Sequence, residues 1–229
     1  MDSLQQILGW IPALVRASGI TLLLAVTSVS AALVLSVFLA LGKISRPHEG
    51  FLLNAASTGV RWISSAYIFF FRGTPLLMQL FFIYYTLPNI LPSLTINDRF
   101  FAAFLAFSLN VAAYLAEIIR AAIQSIDKGQ SEASHALGLS YAQTMRMVVI
   151  PQSYRRMIPP VCNEFVMVLK DTSLVSIIAL TDLTFQTKMI ASNKASSLVY
   201  LPAMVIYLIM TAFFTIIFNR LEKRFSVHL

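Results

Sequence analysis

Charge is scarce in this chain. Only 12% of its 229 residues are Asp, Glu, Lys or Arg, about half the share of an ordinary soluble domain. With 58% hydrophobic residues and a mean hydropathy of +0.76, that shortage argues against a soluble globular protein. There is one cysteine, Cys162. It cannot form an intrachain disulfide or a CxxC pair, and it reads as a small apolar residue of a helix. The histidines, His48, His135 and His228, are scattered and leave no His-x-x-x-His zinc pair. No HExxH or Ser/His constellation is present, and Asp171 has no second intramembrane Asp beside it, which disfavours a membrane-embedded protease. There is no GxxxxGK[ST], so any ATP site belongs to another chain. Internal repeats and low-complexity linkers are absent too.

What is present is long apolar runs. Five are predicted to cross a bilayer: about 17–42, one within 56–88, about 99–122, about 157–180 and about 197–219. The N-terminus does not have the form of a signal peptide. Asp2 precedes any cation, Arg16 is the only early one, and the run from Gly19 to Leu41 suits an uncleaved first helix. Ala31, Ala32 and Ser36 in that run suit close helix packing. The second region is too long for one straight span, since 33 helical residues would reach about 50 Å. Gly73-Thr74-Pro75 is its predicted break, and Arg61 and Trp62 are predicted interface anchors. The aromatics at 67–71 and 81–85 are predicted to face lipid.

Charge placement predicts the orientation. The formal net charge is +7, yet no basic stripe interleaved with aromatics suggests nucleic acid. Lys43, Arg46, Arg61, Arg120, Lys128, Arg146, Arg155, Arg156, Arg220, Lys223 and Arg224 fall on one side of the spans. Arg16, Arg99, Lys188 and Lys194 fall on the other. The excess of cations on the cytoplasmic side predicts the N-terminus outside and the C-terminus inside. An odd number of spans requires the same split. Arg72 and Lys170 remain at membrane depth. The fold class is thus all-α, polytopic and membrane-spanning, with one domain over 1–229 and a cytoplasmic segment over about 123–156.

That segment carries helix punctuation. Ser131 is a predicted cap for a helix starting at Glu132, whose carboxylate suits a helix N-terminus, and Gly138 a predicted stop. Ala133, Ala136 and Leu137 share one face. Ser140 is the predicted cap of a second helix through Met147, with Pro151 interrupting before the fourth span and Pro159-Pro160 shaping its entry. Periodicity alone allows a helix lying on the bilayer or one docking a cytoplasmic partner.

Here a family resemblance enters. Glu132-Ala133-Ser134, three residues, Gly138, nine residues and Val148-Val149-Ile150-Pro151 resemble the cytoplasmic signature of ABC importer permeases. Three further stretches resemble the branch that takes up polar amino acids. They are Phe71-Arg72-Gly73-Thr74-Pro75-Leu76-Leu77, Asn110 through Arg120, and Leu169-Lys170-Asp171-Thr172-Ser173-Leu174. The resemblance covers about 15–225 and implies a type I importer permease in a prokaryotic inner or plasma membrane. It implies two permease subunits (identical or paralogous), two ATPase subunits holding ATP and Mg, and an extracytoplasmic binding protein. The chain itself is then a non-catalytic translocation subunit. Glu132, Ala133, Ala136, Leu137 and Gly138 would dock the ATPase. Arginine, histidine, glutamine, glutamate and cystine importers share these motifs. A gradient-driven amino-acid carrier or channel is the alternative, although such carriers usually show internal repeats.

Polar residues at membrane depth are the pathway candidates, because each ionisable group there costs at least about 2.5 kcal/mol. Asn110 and Tyr114 lie one turn apart, and Glu117 follows at i+3. Glu164 and the Lys170-Asp171-Thr172-Ser173 group are at matching levels on the fourth span. Asn110 and Tyr114 are expected level with the Lys170 group, and Glu117 level with Glu164. Lys170 and Asp171 are expected to meet the carboxylate and ammonium of an amino acid, or Lys170 to pair with Glu117 or Asp171 and lock the bundle. Thr172 and Ser173 would add hydroxyl contacts or bond their own backbone. Arg72 is expected near the cytoplasmic interface.

Overall fold

The structure, a computed structural model, describes residues 3–44 and 51–225. Asp2, Arg46, His48 and His228, used in the sequence arguments, lie outside the described residues. No strand occurs among the described residues.

Helix α1 (Ser3–Ile44) is one helix of 42 residues, about 63 Å long. It starts well before the predicted span and accommodates Pro12 inside it. Its packing seam is made of small residues: Ala25, Ala32, Ser36 and Ala40 are fully buried. Helix α5 (Arg99–Gln124) answers with Ala102, Ala103, Ala106, Ala112, Ala113 and Ala116, also fully buried. Small side chains let two backbones approach closely, which is how helices gain dispersion energy where lipid is as apolar as the core. The α1–α5 pair is accordingly the most extensive in the molecule. Asp98 caps α5 by accepting from Phe101 N at 2.8 Å.

The second apolar region breaks where expected. Helix α2 (Phe51–Gly73) meets α3 (Leu76–Phe81) at a bend of 104°. Pro75 begins the new segment in an extended conformation (φ −63°, ψ 136°). A π turn over Phe82–Thr86, the short α4 (Leu87–Ile90) and a 3-10 turn over Pro92–Leu94 complete it. Trp62 is 73% exposed on α2, as an anchor needs. Tyr67 departs from the lipid-facing expectation. It is half-buried and its hydroxyl donates to Leu109 O at 2.8 Å.

The segment expected in the cytoplasm forms α6 (Lys128–Ala136) and α7 (Tyr141–Thr144), followed by a π turn over Met145–Val149 and α8 (Ile150–Asp171). Pro151 does not interrupt the chain; it stands in the first turn of α8, where no N–H is required. Pro159 and Pro160 lie inside α8 rather than at its entry. A 3-10 stretch over Thr172–Ile178 ends at Ala179 with φ 56°. Helix α9 (Leu183–Lys194) was not predicted. Helix α10 (Tyr200–Phe225) closes the bundle.

By length and composition, three helices, α1, α5 and the last, can cross a membrane, and the bent pair makes a fourth. The predicted 157–180 span is α8 plus its 3-10 extension, and it is too polar to pass that test. Its Glu164, Lys170 and Asp171 are the reason.

Candidate functional site

The polar candidates sit on three pieces of chain: the end of α2, the middle of α5 and the end of α8. Arg72, in the last turn of α2, places its guanidinium 5.4 Å from the ring centre of Tyr114 on α5. Tyr114 is ten residues from the end of α5, about 15 Å. A cleft of about 370 Å³ opens beside the pair, lined by Lys43, Ser65, Ile68, Phe69, Arg72, Gly73 and Tyr114.

On α8, Glu164 is half-buried and both Arg72 and Asp171 act electrostatically on its carboxyl. Arg72, Lys170 and Asp171 are exposed in the single chain. Glu164, Arg72, Lys170 and Asp171 form no ion pair within 4 Å; among the described residues those are Lys43–Glu117 at 2.9 Å and Arg120–Glu117. The structure therefore puts Arg72 on Tyr114, with Glu164 within electrostatic reach of Arg72 and Asp171 but in contact with neither.

Other residues have partners of their own. Glu117 binds Lys43 of α1 and Arg120 of its own helix, and Arg120 reaches on to Gln124. Lys170 forms no ion pair with Glu117 or Asp171. It lines an apolar groove with Leu201, Met204, Val205, Tyr207 and Leu208 of α10. One residue is a turn of about 100° in a helix, so neighbours Lys170 and Asp171 point to different places. Thr172 is fully buried and bonds its own backbone, Leu169 O, at 2.8 Å. Ser173 is half-buried, and its carbonyl accepts from the Ser176 hydroxyl. Asn110 is buried and donates to Phe71 O at 3.0 Å and Gln79 Oε1 at 2.9 Å.

In the segment between α5 and α8, α6 starts earlier than predicted. Asp127, not Ser131, is the cap, accepting from Gly129 N at 2.7 Å. Its end is as predicted. Gly138 adopts φ 84°, and two bonds close the turn: Gly138 N to His135 O at 2.9 Å and Leu139 N to Ser134 O at 3.1 Å. That pattern is a Schellman motif, which needs the left-handed residue glycine tolerates. Ser140 caps α7 in a full capping box with Gln143. Glu132, Ala133, Ala136, Leu137 and Gly138 are all exposed, Leu137 to 83%. Meanwhile Gln152 donates to Gln130 Oε1, and Arg156 donates to Ser125. The segment is tied to α8 while its apolar face is left open.

A family model described as binding-protein-dependent transport system inner membrane component matches residues 50–227. The chain belongs to that family. It is 37% identical over 218 residues to the glutamine transport system permease protein GlnP of Escherichia coli (strain K12), covering 95% of this chain and 94% of that one. It is 36% identical over 219 residues to the arginine transport system permease protein ArtQ of Bacillus subtilis (strain 168), covering 93% of each. A solved structure of an amino acid ABC transporter with histidines superposes with a TM-score of 0.87 at 35% identity, covering 98% of this chain and 99% of that one.

Against this permease family, two residues went unnoticed in sequence. Lys43 looked like one more loop cation, yet it lines the cleft and holds Glu117. Gln79 carried no signal at all. It is buried at the bend and bonded to Asn110. Only the broken helix itself, legible at Pro75, pointed to carbonyls that would need donors.

Proposed function

We propose that this chain is the membrane-crossing subunit of an ABC importer that moves a polar amino acid into the cytoplasm by alternating access. Residues 1–229 form one permease domain, with its N-terminus outside, its C-terminus inside and a cytoplasmic coupling segment over about 123–156. Its partners are a second permease subunit, two ATPase subunits that hold ATP and Mg, and an extracytoplasmic binding protein, in a prokaryotic inner or plasma membrane. The observation that carries this is α6: a nine-residue helix, anchored to α8 by polar contacts, with Ala133, Ala136 and Leu137 turned outward. An apolar helix face held open at the cytoplasmic end suits insertion into a partner's groove. Glu132 and Gly138 complete that docking surface.

Cargo recognition falls to the cluster on α2, α5 and α8. Arg72 offers a fixed guanidinium for the amino acid's carboxylate. Glu164 and Asp171 offer carboxylates for its ammonium. Tyr114 holds Arg72 in place and walls the site. Lys170 and Asp171 are exposed charges at membrane depth, which lipid tails do not tolerate. Their face therefore meets water or the second permease subunit, and the pathway runs between the two. Asn110, Glu117, Thr172 and Ser173 act as its frame.

The test is uptake into proteoliposomes holding the complex purified with its ATPase and binding protein. Radiolabelled L-glutamine, L-arginine and L-cystine are tried one at a time. ATP-dependent accumulation of one of them is expected, with no requirement for an ion gradient. Accumulation driven by a gradient without ATP contradicts the proposal.

A further inference from the structure

The bend between α2 and α3 leaves carbonyls without their helical donors, Phe71 O and Thr74 O among them. Phe71 O would accept from the N–H of residue 75 in an unbroken helix, but residue 75 is proline and has none. Thr74 O loses its helical donor because Met78 N turns instead to Pro75 O, at 3.0 Å. Unpaired carbonyls away from water are costly. One side chain serves both. Gln79 Nε2 donates to Phe71 O at 3.0 Å and to Thr74 O at 3.1 Å, and lies 2.7 Å from Thr74 Oγ1. Its two hydrogens are shared among three acceptors. Its Oε1 accepts from Asn110 Nδ2, and that same amide also donates to Phe71 O. Gln79 is 5% exposed and Asn110 is 7% exposed.

The location of this knot gives it a consequence. The two carbonyls belong to Phe71 and Thr74, on either side of Arg72. Asn110 lies one turn from Tyr114 on α5. The network therefore fixes the backbone under Arg72 relative to the helix that carries Tyr114. We propose that Gln79 is a positioning residue for transport: it holds the α2–α3 bend so that the Arg72 guanidinium stays on the Tyr114 ring, facing the cargo. It touches no cargo itself. The proposal rests on the role given to Arg72 above.

A mutant cycle in the reconstituted importer tests it, using the panel amino acid that the complex takes up. Gln79→Leu removes every polar contact of the side chain. Gln79→Asn keeps the amide but shortens its reach, and it serves if Gln79→Leu does not assemble. Each is combined with Arg72→Gln. A purely structural role lowers the amount of assembled complex or its maximal rate. A positioning role raises KM. The expected result is a KM raised about tenfold for Gln79→Leu, with maximal uptake per complex within about twofold. In the Arg72→Gln background the same change should raise KM by less than about twofold, because coupled sites are not additive. An equal rise in KM in both backgrounds, or a loss of maximal rate with KM unchanged, overturns the role of Gln79 alone. Unchanged KM in Arg72→Gln itself overturns the assigned site, and this role with it.

Discussion

Arg72 and Glu117 are both charged residues of the membrane-embedded bundle, but they differ in what satisfies them. Glu117 has two cations within reach, Lys43 and Arg120. Arg72 has an aromatic ring and no carboxylate within ion-pair distance. A satisfied ion pair suits a frame, and an unsatisfied one suits a ligand site. Two predictions separate these roles. Arg72→Gln should raise the KM for uptake at least about tenfold while thermal unfolding of the purified complex moves little, since an exposed charge contributes little to stability. Glu117→Leu should do the reverse: it leaves Lys43 and Arg120 without their shared partner, at a cost of about 2–3 kcal/mol. Lys43→Met should cost less, about 1 kcal/mol, because Glu117 keeps Arg120. Thermal melts of the three variants check the order, and equal losses for Glu117→Leu and Lys43→Met would contradict it. Sequence alone exposed these charges but not their partners. Depth put Glu117 level with Glu164 but did not name its partners, Lys43 at the end of α1 and Arg120 on its own helix. Lys170 and Asp171 looked like one site, yet adjacent residues on a helix diverge.

At the scale of elements, local chemistry was legible wherever it acts over a few residues. Pro75 removes an N–H, and the helix breaks there. Gly138 takes a left-handed turn, and α6 ends there. The start of α6 was misplaced because Asp127 and Ser131 compete as caps, and Asp127 has Gly129 two residues on to donate to it. Helix α9 escaped notice because its residues show no clear apolar face, and its local cap, Asp182 accepting from Phe185 N and Thr184 N, was missed with it. A tertiary bond also holds it: Thr21 on α1 accepts from Leu183 N at 3.1 Å. Helix α6, the proposed coupling helix, permits a controlled prediction. Gly138→Ala strains the φ 84° turn by about 1–2 kcal/mol, and Gly138→Asp adds a charge to the same strain. Gly138→Asp should leave the membrane fold intact but separate ATP hydrolysis from uptake, while Gly138→Ala should weaken coupling far less. Parallel assays of ATPase and uptake check this, and matched behaviour of the two variants would place the effect in backbone strain. Close packing of α1 on α2 gives another. A Cβ at Gly42 would collide with Ser64 Oγ and press Val60 Cγ1. Gly42→Val should therefore lower the melting temperature of the complex by overpacking, at about 1–3 kcal/mol, and an unchanged melt would contradict that close approach.

For the whole molecule, composition and hydropathy indicated an all-helical membrane protein. They could not set how helices pair. The alanine face of α5 meets the small-residue seam of α1 across more than sixty positions of sequence, and no local pattern names a partner. Nor could they show that α8, too polar to count as a span, carries half of the charged cluster. Arg72, Lys170 and Asp171 exposed in the single chain and an apolar face left open on α6 support the proposal that this chain is one part of a larger assembly. The most direct test is purification of the tagged protein from its native membrane in mild detergent, with every partner identified by mass spectrometry. The account predicts an ATPase bearing a Walker A sequence in stoichiometric amount, and its loss when Leu137 and Ala133 are both replaced by aspartate. A protein that purifies without any ATPase across several detergents would contradict it.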